Sequence, residues 1–199
     1  MRQRTYHTKL YEIAEAQLGY FTADQAREAG VIPIRLVQLV KTADIERVSR
    51  GVYRLTRFPA SALGQFMEAT LWPQVRRPGT RGVLSHESAL SLYQLSDTNP
   101  AKVHIILSPT MRIRREIPKY LAIHYAALGL QDVKLVEGIP VTTPERAIRD
   151  VHANHLGQAL VRQAIADGRR SGHLTFEQSD RLERELLDDG RHAGVASSE

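Results

Sequence analysis

The residues best equipped for chemistry stand side by side in LSHESAL, where Ser85, His86, Glu87 and Ser88 follow one another. Together they hold every side-chain type of a hydrolase triad: a hydroxyl nucleophile, an imidazole base and a carboxylate to orient it. Consecutive residues on a helix do not face one another, so the four cannot form a triad by themselves. As a helix start the same letters agree with each other. Ser85 is an N-cap, Glu87 suits the positive helix end, and Ala89, Leu90 and Tyr93 supply a packing face. VTTPERAIRD has the same design, with Thr143 as cap, Pro144 in the first turn, and Arg146 four residues before Asp150 as an ion pair. Of the eight histidines, His152 and His155 fall three apart on one helical face, and His104 and His124 fall on separate predicted strands, so a metal-binding cluster is conceivable. No HExxH or carboxylate-spaced set accompanies them, and there is no phosphate-cradling glycine loop. No catalytic residue, metal or other cofactor is expected, and the chain reads as a non-enzyme. Zero cysteines exclude disulfides, thiol nucleophiles and thiolate zinc sites together.

Cationic side chains give the second concentration of chemistry. Residues 1–58 carry ten Lys or Arg against six acids, a balance of +4, whereas 130–199 carry nine against twelve, or −3. An electrostatic footprint for phosphates is expected on the earlier part, with solvent or a protein partner at the acidic end. Within YFTADQAREAGVIPIRLVQLVKTADIERVSRGVYRLTR, residues 20–57, the elements that would position those cations can be read in order. Thr22 caps a helix whose third residue is Gln25, a capping box. Gly30 closes that helix in the left-handed conformation, and Pro33 suits the first turn of the next. In this second helix Leu36, Leu39 and Val40 share one face, so Ile34, Arg35, Gln38, Lys41 and Thr42 point the other way. Two β-prone runs, Ile45 to Val48 and Val52 to Leu55, flank a hairpin tip at Ser49-Arg50-Gly51. Arg47, Arg50, Arg54 and Arg57 crowd that ribbon. Helix, turn, helix and basic hairpin is the order of a winged helix-turn-helix, with the polar helix face in the major groove of duplex DNA. The bland alternative is a solvated helix beside an ordinary arginine-rich surface.

An earlier helix, about Tyr6 to Leu18, would complete a three-helix core through Leu10, Ile13, Ala14 and Leu18. Phe58-Pro59-Ala60-Ser61 marks a boundary, and beyond it helices alternate with strands. Helices are expected at about Ala62 to Leu71, Ser85 to Leu95, from Thr143, His155 to Arg170 and Phe176 to Leu187. Strands are expected at Val103 to Leu107, Leu121 to Ala126 and Val133 to Val136, with a turn at Gly138 before Pro140-Val141-Thr142. The fold class is α+β: an N-terminal winged helix-turn-helix over 1–58, a mixed α/β domain over 59–187, and a disordered tail over 188–199. No apolar run approaches the ~20 residues of a membrane span, and the N-terminus lacks an apolar signal core, so the cytoplasm is the expected location.

Five motifs in one order, GYFTADQAREAG, LVQLVKTADIERVSRGVYRL, LSHESALSLYQLSD, KVHIILSP and GIPVTTPERAIRDV, resemble the AbiEi family of bacterial antitoxin transcriptional regulators across about residues 6–170. The resemblance implies an autorepressor of a type IV toxin-antitoxin system, of the abortive-infection type that counters phage. Its winged helix would bind promoter DNA, and its second domain would counter an AbiEii-like nucleotidyltransferase toxin, with direct toxin contact left open. Carried onto this chain, the reading helix falls on Ile34 to Thr42 and the wing on Arg47 to Arg54. The DNA-contacting set is therefore Ile34, Arg35, Gln38, Lys41, Thr42, Arg47, Arg50 and Arg54. Two positions depart from the family pattern. Ile32-Pro33 stand where a small polar cap is common, and Ala43 stands where a glycine commonly ends the reading helix. Since alanine tolerates the left-handed cap poorly, a different turn is expected there. A different class of function stays in view: a nucleotide- or RNA-binding enzyme or enzyme inhibitor whose winged helix docks a protein.

Overall fold

The computed structural model describes residues 2–75, 79–97 and 99–187, with side chains from residue 6 onward. The expected tail, 188–199, lies outside the described residues.

The chain opens with α1 (Arg2–Glu15), which buries Leu10 and Ala14. It stops short of the expected Leu18, because Leu18 and Gly19 take φ of 53° and 88° and turn the chain out of the helix. Strand β1 (Tyr20–Thr22) follows; three residues are too short to show alternation in the sequence. Then come α2 (Ala23–Glu28), α3 (Pro33–Lys41) and the hairpin of β2 (Ile45–Ser49) and β3 (Val52–Leu55). The three strands form an antiparallel sheet in the order β1-β3-β2. Its register sets Phe21, Tyr53 and Arg47 in one row and Tyr20, Arg54 and Glu46 in the next. Because side chains alternate between faces, these rows lie on opposite sides of the sheet. The Phe21 side covers a small core of Leu10, Ala14, Ala26, Val31, Leu36, Leu39 and Ile45.

The Tyr20 side meets a second, larger core. Val52 is fully buried in it, and Tyr20 and Val48 pack against it. After α4 (Gly64–Leu71) and a single 3-10 turn at Trp72–Gln74, the chain runs through β4 (Val83–Leu84), α5 (His86–Leu92), β5 (Val103–Leu107) and β6 (Leu121–Tyr125). It continues through β7 (Val133–Val136), β8 (Ile139–Thr142), α6 (Pro144–Ala153), α7 (Gln158–Arg170) and α8 (Phe176–Leu187). The sheet is mixed, in the order β6-β5-β4-β8-β7, with β5–β6 and β4–β8 parallel and the other two pairs antiparallel. Ile105, Leu107, Ile139 and Val141 carry its apolar face to Leu90, Ile148, Val151 and Ile165 of the helices. The fold is α+β, as read from the sequence. Two helix bounds shift for one reason. Gln94 at φ 58° ends the α5 region early, and His155 at φ 54° with Gly157 at φ 105° delays α7 to Gln158.

The two cores share a seam. A Cβ on Gly51 would stand 2.5 Å from Val75 Cγ1, and one on Gly138 would stand 2.3 Å from the carbonyl oxygen of Ala16. No helix of the described residues is long and apolar enough to cross a membrane.

Candidate nucleic-acid interface

Local chemistry fixes α2 and α3. Thr22 Oγ1 accepts from the Gln25 amide at 3.2 Å while Gln25 Oε1 accepts from the Thr22 amide at 2.8 Å, completing the capping box. Gln17, itself buried, bonds to the Gln25 side chain and ties α1 into the same cap. Gly30 takes φ 87°, and Pro33 opens α3 behind Ile32, which offers no side-chain cap. Leu36 and Leu39 face inward. Val40, expected with them, is 36% exposed and sits at the edge of the buried stripe. Ile34, Gln38, Lys41 and Thr42 are exposed and Arg35 is half-buried, with Arg35 Nη1 donating to Gln38 Oε1 at 2.8 Å. The pair presents guanidinium and amide groups as one unit, the side-chain types that read guanine and adenine edges. The Thr42 hydroxyl instead donates to Asp44 Oδ2 at 2.6 Å. Arg35, Gln38, Thr42 and Asp44 line a shallow concavity with His7 and Thr8 of α1.

Ala43 does adopt the left-handed conformation, at φ 58°. The different turn expected there is not used: the Asp44 amide donates to Leu39 O and the Ala43 amide to Val40 O, so the helix ends as a glycine would end it.

In the hairpin, Gly51 takes the tip at φ 81°. Arg47 and Arg50 are exposed, as is Arg57 beyond β3. Arg47 belongs to the row of Phe21 and Tyr53, on the side of the sheet where the helices pack. Arg54 lies on the other side, and its placement differs from that of an outward wing cation. Its side chain is 14% exposed, pairs with Glu46 at 3.0 Å, donates to Phe58 O at 2.7 Å and covers the Tyr20 ring. Alternation along β3 explains this: Arg54 must face the way Val52 faces, toward the second core. In the loop after β5 that holds Arg112, Arg114 and Arg115, Arg112 braces its own backbone through Pro109 O and Met111 O. Arg115 lies over the Trp72 ring at 3.8 Å and donates to Trp72 O. Arg114 is exposed.

The chemistry-bearing motifs of the second unit fold as helix starts, with one difference. Thr143 caps α6 through the Arg146 amide, and Arg146 bonds Asp150 at 2.9 Å and reaches Asp132 at 3.3 Å. Burial raises the Asp150 carboxyl while Arg146 opposes the rise. Ser85 occupies the N-cap position of α5 but makes no capping bond; its Oγ meets His86 Nδ1 at 2.9 Å. His86 takes φ 52°, is 2% exposed and turns its ring onto His124, with centroids 3.8 Å apart. His104 Nδ1 lies 3.0 Å from His124 Nε2, so the two strand histidines do come together, as the neighbouring strands β5 and β6 allow. His152 lies in the last turn of α6 and His155 just beyond it, and neither belongs to this group of three. His86 was hidden from sequence reasoning because SHES reads so well as a cap. Burial, then the neighbouring imidazoles and Arg146, push His86 down to about 3, and burial lowers His104 and His124 as well.

Comparison with known proteins adds three findings. No curated protein matches the chain. The crystal structure of the RV2827C protein from Mycobacterium tuberculosis is similar, with a TM-score of 0.51 at 15% identity over 92% of this chain and 72% of that one, a likeness of fold alone. Residues 9–56, the stretch from mid-α1 through the hairpin, match the family model described as transcriptional regulator, AbiEi antitoxin. The resemblance to the AbiEi antitoxin transcriptional regulators, first read from separated motifs, is thereby supported in the unit that carries α3 and the basic hairpin.

Proposed function

We propose that the N-terminal unit works as a winged helix-turn-helix on duplex promoter DNA, and that the chain is a non-enzymatic cytoplasmic antitoxin that represses its own promoter. The observation that carries this reading is the outward face of α3, where Arg35 and Gln38 are joined at 2.8 Å beside exposed Lys41, with Arg47 on the same side of the adjoining sheet. In this reading α3 lies in the major groove with Arg35 or Gln38 on base edges, while Ile34 offers an apolar contact for a thymine methyl. Lys41, Arg47 and Arg50 hold phosphates, and the Thr42 hydroxyl, engaged by Asp44, contributes position rather than readout. Arg54 supports the hairpin from behind. The second unit would counter an AbiEii-like nucleotidyltransferase toxin, consistent with the family match and with an acidic C-terminal third suited to a protein partner.

A salt titration of the full chain on its own upstream DNA, against scrambled duplex, tests the reading. Arg35→Ala should cost about 1–3 kcal/mol of preference for the cognate sequence. Arg50→Ala should weaken both duplexes alike and lower the salt slope by about one counterion. Arg54→Ala should leave the slope unchanged. Equal affinity for the two duplexes in the wild-type protein would overturn the proposal. One observation favours a second reading, in which α3 docks a protein: Ile32, Ile34 and Val37 are each half exposed or more on its outer side. That reading gains if DNA binding is weak and unselective.

A further inference from the structure

Three imidazoles from three elements converge in the second unit: His86 at the start of α5, His104 on β5 and His124 on β6. One ring nitrogen of each lies within 4.8 Å of the other two. Their partners already hold two of them in the forms a ligand needs. Asn154 Nδ2 lies 2.8 Å from His86 Nε2 and also donates to Asp150 O, which fixes the amide as the donor. Nε2 of His86 therefore carries the lone pair, and Nδ1 holds the proton toward Ser85 Oγ. The Glu87 carboxylate is 3.6 Å from His104 Nε2 and favours a proton there, leaving Nδ1 of His104 as the acceptor that points at His124 Nε2. A carboxylate or hydroxyl behind a histidine is the outer-shell arrangement that orients metal ligands. The separation of 3.0 Å between His104 Nδ1 and His124 Nε2 is close to the edge of a tetrahedral zinc site, about 3.3 Å for Zn–N bonds of about 2.0–2.1 Å. His86 reaches this cluster in a left-handed backbone conformation that is strained for a non-glycine residue, the kind of strain that persists at functional sites.

We propose that His86, His104 and His124 bind one borderline divalent transition-metal ion, Zn2+ foremost, leaving a fourth position open to water. Three neutral imidazoles without thiolate suit zinc, cobalt or nickel better than the oxygen-seeking magnesium or calcium. Two adjustments accompany binding. His124 moves its proton from Nε2 to Nδ1, and His86 tilts out of its stack on His124 and leaves Asn154. The ion would pin β6, an edge strand, to β5 and α5. The proposal stands independently of the DNA reading.

The test uses the untagged full chain, stripped with chelator and titrated with Zn2+ by calorimetry and with Co2+ by visible absorption. One equivalent of Zn2+ and a Co2+ spectrum of nitrogen-ligated, low-coordinate form are expected. Both should be lost in His104→Gln and in His124→Gln, with folding checked by circular dichroism. Glu87→Gln should keep the stoichiometry and weaken affinity about 10–100-fold, the usual effect of removing an outer-shell partner. A wild-type chain that takes up no Zn2+ overturns the proposal whatever the variants do. So does uptake that the folded His104→Gln/His124→Gln double variant retains in full.

Discussion

Ala43 shows how one side chain can be constrained by a position it does not suit. It ends α3 at φ 58°, where the missing freedom of a methyl-bearing residue costs about 1 kcal/mol relative to glycine. Ala43→Gly should therefore stabilise the protein by about that amount and raise the thermal midpoint by roughly 2–4 °C for a chain of this size. An unchanged or lower midpoint would mean that glycine's extra freedom in the unfolded chain outweighs the relief. Arg54 gives the complementary lesson. From its neighbours in the sequence it looks like one more wing cation, yet alternation along a four-residue strand turns it onto Glu46 and Tyr20. Arg47, an odd number of steps away across the ladder, turns to the helix side. The sign of a charge is legible in a sequence, whereas its face depends on register, which a hairpin with a bulge between Arg47 and Ser49 does not disclose.

At the scale of elements, strong local chemistry was readable and long-range pairing was not. The Thr22/Gln25 cap, the Gly30 turn, Pro33, the Gly51 tip and the bounds of α8 all rest on residues within a few positions of one another. Strands β1 and β4, three and two residues long, exist only because a distant partner pairs with them, so nothing local announces them. The meeting of His86 with His104 and His124 has the same origin, since α5, β5 and β6 are brought together by the sheet order. The hairpin is held by the second unit as well as by its own turn. Gly51→Ala meets both a positive φ and the Val75 side chain at 2.5 Å, and a loss of more than about 2 kcal/mol is expected. In a double-mutant cycle with Val75→Ala the two losses should be less than additive, because shortening Val75 relieves the clash. Strict additivity in urea unfolding would show that the contact does not hold the hairpin.

For the molecule as a whole, the neutral histidine cluster makes stability depend on pH. His86 titrates near 6.5 in an unfolded chain and is held down to about 3 in the folded one, by burial first and then by His124, His104 and Arg146. The unfolded state thus binds the extra proton. The stabilisation is complete above about pH 6.5 and is lost as pH falls toward 3, by up to about 1.4 kcal/mol per pH unit for His86 alone. His104 and His124 shift in the same direction. The thermal midpoint of the chelator-stripped wild-type protein should fall more steeply between about pH 7 and pH 5 than that of His86→Asn, whose short side chain accepts the left-handed backbone. Parallel curves would remove His86 from the linkage. The outer side of α3 carries a different thermodynamic consequence. Ile34 and Val37 are 59% and 50% exposed in the free protein, beside cations whose contacts would respond to salt. Covering those methyl groups dehydrates them, so association through this face should have a negative heat-capacity change even where ionic strength governs its affinity. Calorimetry at several temperatures should show a binding enthalpy that grows more exothermic on warming, with a shallower slope for Ile34→Ser/Val37→Ser. Two surfaces of one helix would then answer to two variables, the cationic one to salt and the aliphatic one to temperature.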